Sequence, residues 1–272
     1  MEYVVCLSGG HSSALVAIEA VRKVGKENVI LLNHDISPLV EDLDIKRFKK
    51  EISKYLEVPI TYANMEGWET KTPLKICKDI GAFKVGTGTA LCTYNLKTKP
   101  FYKWLNKHYP VKKDDMREDV KILYGFDKSE PSRIQRRIGV MQTKGYYTDF
   151  PLAYWNRTIQ NTEDIGIKRP KTYELFRHAN CIGCLKAGKQ QWYLVYCLYP
   201  EIWKEAIETE NAIGYSILKD TFLEDLEPKF KQMKCRGIVP GEKMQPQTFW
   251  AAVEKALPMN GQLSFLPCEC AL

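Results

Sequence analysis

The sequence predicts an α/β protein with an open, mostly parallel sheet flanked by helices, a Rossmann-like fold with a helical C-terminal extension. Over the first half of the chain, short β-rich apolar runs alternate with segments that repeat apolar residues at helical spacing. One of these runs, residues 28–36, is apolar along most of its length, as expected for a strand covered on both faces. Strands and helices that alternate in this way form parallel sheets with right-handed crossovers.

The predicted elements of the sheet follow one another closely, and Gly25 ends the first helix. Farther along, we predict one amphipathic helix over 191–208 and a short helix over 247–257, followed by an extended tail. We therefore divide the chain into an α/β domain, residues 1–150, and a mostly helical part, residues 151–272. The strands are predicted at 3–7, 28–36, 59–63 and 120–124, and the helices of the sheet region at 11–25, 41–57 and 101–108.

Composition limits the classes to which the protein can belong. Hydrophobic residues make up 44% and charged residues 27% of the 272 residues, as in soluble globular proteins. No stretch approaches the ~18 apolar residues of a membrane span. Because the N-terminus also has no basic leader, we expect a cytoplasmic protein without a membrane partner. The nine cysteines would then stay reduced. A net charge of +7 suits a nucleotide or nucleic-acid partner, although many basic proteins bind neither.

The first predicted strand ends in the sequence SGGHSS, residues 8–13. Gly9 and Gly10 let backbone amides approach an anion, the following helix start adds positive potential, and the serine hydroxyls add donors. The pattern therefore predicts a phosphate cradle at the edge where open parallel sheets bind ligands. It lacks the Lys-Ser/Thr pair of a Walker loop and the third glycine of a dinucleotide fingerprint. A tight turn with serine capping of the helix is the plain alternative.

Five segments of the chain carry recognisable motifs: SGGHSS at 8–13, LLNHDI at 31–36, CTYNLKTKPF at 92–101, GFDKSEPSRIQRR at 125–137, and FPLAYWNRTI at 150–159 followed by CIGC at 181–184. In this order they resemble the adenine nucleotide alpha hydrolases, the PP-loop superfamily of ATP pyrophosphatases and sulfonucleotide (PAPS/APS) reductases. The 8–13 segment is similar to the SGGxDS pyrophosphate loop of that family. The resemblance spans about residues 3–205 and includes the PL-x-x-W run before CxxC that is typical of the reductase-like branch.

The resemblance implies that the loop binds the phosphates of ATP or a sulfonucleotide, and that the end of the second strand binds adenine and ribose. The arginine-rich segment after the fourth strand would close over the nucleotide, with Glu130 on a hydroxyl or a metal. Ser12 stands where ATP pyrophosphatases carry Asp, which leaves magnesium-assisted cleavage of ATP open, and Gly-Phe-Asp at 125–127 replaces Gly-x-Arg. The implied residues are Ser8, Gly9, Gly10, His11, Ser13, Asn33, Asp35, Arg133 and Arg136 for nucleotide binding, and Ser12, Glu130 and Cys270 for catalysis.

Cys181 and Cys184 form a CxxC motif whose turn directs two thiolates at one point, as in soft-metal sites. In the resembled family the CxxC pair and a cysteine of the CTYNLK segment hold an iron–sulfur cluster. The resemblance therefore implies a [4Fe–4S] cluster on Cys92, Cys181 and Cys184, with Thr93 in place of a further family cysteine. Zinc is the alternative metal. The alternatives for the fourth position are an open iron site, Cys197, Cys268 and Cys270.

Three functions are open. The first is an iron–sulfur-dependent ATP pyrophosphatase and sulfurtransferase that acts on a nucleic acid or small molecule. The second is a sulfonucleotide reductase, since Glu269-Cys270-Ala271 partly resembles the C-terminal Glu-Cys-Gly nucleophile of that family. The third is a metal- or nucleic-acid-binding module without catalysis, which would not need a glycine turn at a strand end. We favour the first. The expected partners are an adenine nucleotide and, beyond it, a nucleic acid, a sulfur donor or reductant protein, or a second copy of the chain.

Overall fold

The computed structural model describes residues 1–86, 88–112, 115–179 and 181–257. It contains a five-stranded sheet, parallel throughout, in the order β3-β2-β1-β4-β5. Helices flank this sheet and the C-terminal region is helical, which confirms the predicted fold class. The strands are β1 (Glu2–Cys6), β2 (Val29–Asn33), β3 (Ile60–Tyr62), β4 (Arg117–Leu123) and β5 (Tyr146–Asp149).

The helices of the described residues are, in chain order, α1 (His11–Val24), α2 (Leu43–Leu56), α3 (Pro73–Ile80), α4 (Leu91–Thr93), α5 (Lys99–His108), α6 (Pro131–Gln142), α7 (Pro151–Tyr154), α8 (Lys189–Leu198), α9 (Pro200–Ile213), α10 (Leu223–Cys235) and α11 (Pro246–Ala256). Proline begins α3, α6, α7, α9 and α11, because a first-turn residue needs no N–H partner within the helix. None of the described helices combines the length and the apolar character needed to cross a membrane.

The central strand β1 is covered on both faces, because alternate side chains of a strand point to opposite sides. Val5 lies in a core with residues of α1 and α2, and Val4 lies in a second core with residues of α5 and α6. Both valines are fully buried. Burying such a side chain contributes about 1.5–3 kcal/mol, so this double coverage explains the continuous apolar runs of the first two strands.

The strand order places a topological switch point between β1 and β4. From β1 the chain moves outward through β2 to β3, and from β4 it moves to β5 on the other side. Connections that diverge in this way leave a crevice outside the carboxyl ends of the two strands, where open α/β sheets bind ligands. The 8–13 loop follows β1 and therefore lies at this crevice.

The secondary structure differs from the sequence prediction in the C-terminal helices and at one edge of the sheet, and it also contains α3, α6 and α10, which were not predicted. The single helix predicted over 191–208 is wrong, since α8 ends at Leu198 and α9 begins at Pro200. Pro200 cannot continue a helix but is well suited to the first turn of a new one. The sequence pattern does not predict β5, because only Tyr146 of this short strand is buried and the strand lacks an apolar run.

The described chain forms two compact units. One contains Met1–Thr70 and Thr93–Tyr173, and thus the whole sheet; the other contains Lys71–Cys92 and the residues from Glu174 onward. This division differs from the one predicted after the first 150 residues. The reason is that Glu19 of α1 accepts hydrogen bonds from two backbone amides of the segment that follows α7, at 2.6 and 3.0 Å, and keeps that segment with the sheet.

Candidate functional site

The 8–13 loop turns the chain from the end of β1 into α1. Gly9 has a φ of +83°, in the left-handed region that residues with a side chain rarely adopt. A β-carbon at Gly9 would also lie 2.7 Å from Ile45 Cγ2 and 3.2 Å from Lys49 Cδ, both on α2. Gly10 has an extended backbone, with φ of −87° and ψ of 156°. The backbone therefore requires glycine at the first position and not at the second.

Ser13 fixes the shape of the loop. Its hydroxyl accepts hydrogen bonds from Ser8 N (3.1 Å) and Ser8 Oγ (3.2 Å) and donates to the Gly10 carbonyl (2.8 Å). Ser13 is buried, whereas Ser12 is exposed in the first turn of α1. Ser13 thus maintains the loop, and Ser12 is placed to reach a ligand from solvent.

Gly125, just beyond β4, packs against the start of α1. A β-carbon there would lie 3.1 Å from the Ser12 carbonyl carbon and 3.2 Å from Ser13 N. Those distances are tighter than most real contacts of a β-carbon, and the opposing atoms are backbone that cannot rotate away. The glycine that begins the GFDKSE segment therefore lets the strand end approach the loop closely.

The arginine-rich segment that was expected to close over a nucleotide forms α6. Just before it, the Glu130 carboxylate accepts a hydrogen bond from Asp127 N (3.1 Å) and forms an ion pair with Arg133. The Arg133 guanidinium also lies 4.3 Å from the ring centroid of Phe126. Arg136 is exposed on the same helix. A phosphate would therefore compete with Glu130 for Arg133, while Arg136 is open to solvent.

Asn33 and Asp35, at the carboxyl end of β2, are tied into the fold. The Asn33 side-chain amide donates to the Leu7 carbonyl, and Asp35 Oδ1 accepts from Lys46 Nζ and Lys49 Nζ, both at 2.7 Å. Burial acts to raise the pKa of Asp35, but the hydrogen bonds from the two lysines outweigh it and lower that pKa. Asp35 is thus an ionised carboxylate already neutralised by lysine.

Lys49 is a buried lysine that sequence reasoning misses. Its side chain is 1% exposed, and its ammonium group also contacts Glu41 Oε2 at 3.0 Å. Its carbon stem lies beneath Gly9, so the same residue joins the end of β2 to the loop. The available signal is its position on the apolar face of α2, four residues after Ile45 and three before Ile52.

His11, the first residue of α1, is bonded to a distant part of the chain through both its backbone and its ring. Its N–H donates to the Tyr173 hydroxyl (3.0 Å), and its imidazole Nε2 accepts the Thr162 N–H (3.3 Å). Burial, and then the charge of Arg169, lowers the pKa of His11 to about 4. The imidazole is therefore neutral at neutral pH and keeps its role as an acceptor.

Acidification is expected to weaken the fold through His11. The unfolded chain protonates this imidazole near its ordinary pKa of 6.5, whereas the folded chain does so only near 4. The free energy of unfolding should therefore decline as the pH falls from about 6.5 to about 4, without a further contribution from His11 below that. Urea unfolding across this range should show a shallower decline in His11→Gln than in the wild type. Equal declines would contradict the buried, neutral state of His11.

The three cysteines predicted to hold a cluster belong to one compact unit. Cys92 is buried, and Cys181 and Cys184 are half-buried. Three thiols suit an iron–sulfur cluster or zinc. Among the residues that the structure describes, however, no three His, Cys, Asp or Glu side chains are placed to hold a metal ion. Cluster binding stays a prediction; Cys268 and Cys270 lie outside the described residues.

A further cysteine, Cys77 of α3, lies next to Cys92. The Cys92 N–H donates to the Cys77 sulfur, and burial raises the pKa of Cys77 to about 12. A turn that pairs Leu91 N with the Phe83 carbonyl (2.8 Å) brings the chain back to this position. Cys77 is therefore a thiol at neutral pH and a neighbour of one predicted ligand. Its apolar sequence surroundings indicate only a core residue.

Comparison with known proteins identifies no family. No family model matches the chain, and no solved structure matches it. The chain is similar to the uncharacterized nin region protein ORF290 of Escherichia phage lambda, with 25% identity over 221 residues that cover 69% of this chain and 67% of the phage protein. Because that relative is itself uncharacterized, a functional assignment depends on the site alone.

Proposed function

We propose that the protein is a cytoplasmic, adenine-nucleotide-binding enzyme of the PP-loop type that cleaves ATP in support of sulfur transfer to a nucleic acid or small molecule. The observation that carries the proposal is the position of the 8–13 loop at the switch point of a parallel sheet. A glycine turn followed by a 14-residue helix offers backbone N–H groups and positive potential to a phosphate at that edge.

In this proposal the loop binds the β- and γ-phosphates of ATP. An acceptor oxygen attacks the α-phosphorus, the bond to the bridging oxygen breaks, and pyrophosphate leaves with the electron pair. Backbone N–H groups of the loop and the exposed Ser12 hydroxyl would stabilise the charge that develops on the leaving group. The close approach of Gly125 to Ser12 and Ser13 supports this arrangement, because it leaves the loop without a side chain from the end of β4 in front of it.

A second candidate is reduction of a sulfonucleotide at the same loop. The observation that favours it is the exposed Ser12 hydroxyl, which stands where a magnesium-binding carboxylate would be expected for ATP cleavage. The carboxylate of Asp35 does not replace it, since Lys46 and Lys49 already neutralise that group. In this case the loop would bind the nucleotide phosphates, and a thiolate such as that of Cys270 would attack sulfur.

Nucleotide binding is tested with Gly10→Val. We expect the wild-type chain to bind ATP in a calorimetric titration, and the variant to lose more than about tenfold in affinity, because the side chain would cover amides that donate to the phosphates. The extended backbone at Gly10 is compatible with valine, so the only expected cost to stability is the less favourable N-cap of α1, about 1 kcal/mol. Gly86→Val is the matched control, since a β-carbon there meets open space. Unchanged ATP affinity in Gly10→Val would contradict the assignment.

The two candidate reactions are separated by their products. Release of AMP and pyrophosphate from ATP, dependent on an acceptor, supports the first. Release of sulfite from APS or PAPS with a thiol reductant, without turnover of ATP, supports the second. A wild-type chain that binds none of these nucleotides would contradict both.

A further inference from the structure

Residues 157–173, which the sequence pattern does not connect with the 8–13 loop, are held against the start of α1. Glu19 accepts two backbone amides near the beginning of this segment. Farther along, the Thr162 N–H donates to the His11 ring, and near the end the Tyr173 hydroxyl accepts the His11 N–H. The segment therefore lies beside the first turn of α1, next to the 8–13 loop where a phosphate would bind.

This segment carries buried polar groups that lack partners in the described part of the chain. Thr162 is 0% exposed, and its hydroxyl oxygen makes no hydrogen bond; the buried Arg157 Nε also makes none. The Tyr173 hydroxyl accepts the His11 N–H, but no described residue accepts its own proton. A buried polar group without a partner costs about 1–3 kcal/mol, so the Thr162 hydroxyl and Arg157 Nε indicate a site for a ligand in this segment.

The charged side chains at this place are only partly paired with one another. Glu163 is paired with Arg169 at 3.3 Å, and the Asp164 carboxylate accepts a backbone N–H at 3.0 Å. Arg157, in contrast, contacts only the Gln160 carbonyl, at 3.3 Å, among the described residues. Among the described residues, the guanidinium of Arg157 therefore has no carboxylate partner. The charged side chains that act on His11 are Arg157, Arg169, Glu163 and Asp164.

We propose that the 157–173 segment forms the second wall of the phosphate site, with Arg157, Thr162 and Tyr173 as contacts to the phosphate oxygens. The inference rests on the proposed function, because it takes the 8–13 loop as the first wall. Arg157 Nε, the Thr162 hydroxyl and the Tyr173 hydroxyl each offer a proton, and phosphate oxygens are acceptors that take all three. The neutral His11 ring holds the Thr162 amide and so keeps the segment at the loop.

The test uses the full chain, inorganic pyrophosphate and ATP as probes, and calorimetry together with thermal unfolding. Arg157→Gln should weaken the binding of both probes about tenfold, and Tyr173→Phe should weaken it by a smaller factor, since each removes a donor to a charged oxygen. Thr162→Val should also weaken binding while it maintains or raises the melting temperature, because it removes a buried hydroxyl that has no partner without ligand. A merely structural hydroxyl would give the opposite result, a lower melting temperature with unchanged affinity.

Two control variants remove similar groups away from the site. Arg22→Gln removes an arginine that contacts the same segment through Thr158, and Tyr55→Phe removes a hydroxyl that contacts Arg22. Both should bind pyrophosphate like the wild type. Wild-type affinity in Arg157→Gln or in Thr162→Val would contradict the proposal that the 157–173 segment contacts the phosphate. The proposed function would still hold in that case, provided that Gly10→Val has lost binding. A wild-type chain that binds neither probe would overturn both proposals.

Discussion

Replacement of Lys49 by methionine is expected to lower the free energy of unfolding by about 3–5 kcal/mol. The ammonium group is 1% exposed and contacts Asp35 at 2.7 Å and Glu41 at 3.0 Å. Methionine would fill a similar volume but leave the Asp35 and Glu41 carboxylates with one lysine, Lys46, instead of two. Urea denaturation measures the loss. A change below about 1 kcal/mol would show that the buried lysine is not coupled to these carboxylates.

Two further variants separate the ion pairs from other effects of the substitution. Lys50→Met makes the same change at the exposed neighbouring position and should alter stability by no more than about 0.5 kcal/mol. Glu41→Gln, introduced together with Lys49→Met, should recover part of the loss, because it removes one carboxylate left without its second lysine. A double variant that is fully as unstable as the two losses added together would argue against direct coupling.

Replacement of Gly9 by valine is expected to lower the free energy of unfolding by about 3 kcal/mol. The positive φ of +83° costs a residue with a side chain roughly 1–2 kcal/mol. The β-carbon would also lie 2.7 Å from Ile45 Cγ2, and relief of such overpacking costs about 1–3 kcal/mol. Thermal or urea unfolding would record both contributions.

Gly166 provides the matched control for Gly9. Its φ of +78° is similar, but a β-carbon there would meet no atom within 4 Å. Gly166→Val should therefore show the cost of the left-handed backbone alone, and the excess in Gly9→Val should report contact with α2. If both variants lost the same stability, the close packing of the loop on Ile45 would be contradicted.

Lys49→Met and Gly9→Val both change the contact between the 8–13 loop and α2. The Lys49 stem contacts the position of a Gly9 side chain, and its ammonium group reaches the residues at the end of β2. The support of the loop is therefore buried and ionic. A loop supported in this way would lose little conformational entropy in the proposed binding of an anion.

The fold class and the loop could be predicted because local patterns determine them. Apolar runs such as 28–36 reveal strands that are buried on both faces, and a glycine pair after the first strand marks a turn at the ligand-binding edge. The break between α8 and α9 could also have been read from Pro200, but the apolar spacing continues through it. β5 escapes prediction because its burial comes from pairing with β4 rather than from an apolar sequence.

The surroundings of the loop could not be predicted, because they depend on contacts between distant residues. Thr162 and Tyr173 both form hydrogen bonds with His11, although they lie 151 and 162 positions after it in the sequence. Neither contact leaves a periodic pattern in the sequence. Asp35 was expected at a ligand, but the sequence alone does not show that Lys49 is buried against it. Tertiary packing of α2 places Lys49 against Asp35, and tertiary packing of the 157–173 segment places Thr162 and Tyr173 against His11.

The claim that the 8–13 loop binds nucleotide phosphates is tested most directly at its own backbone amides. The full chain, labelled with ¹⁵N, would be titrated with ATP and separately with inorganic pyrophosphate while the amide resonances are followed by NMR. We predict that the largest shifts, saturating with ligand, occur at Gly9 to Ser13, and that pyrophosphate moves the same resonances as ATP. Resonances of the loop that do not move at millimolar ATP, or shifts confined to other parts of the chain, would contradict the account.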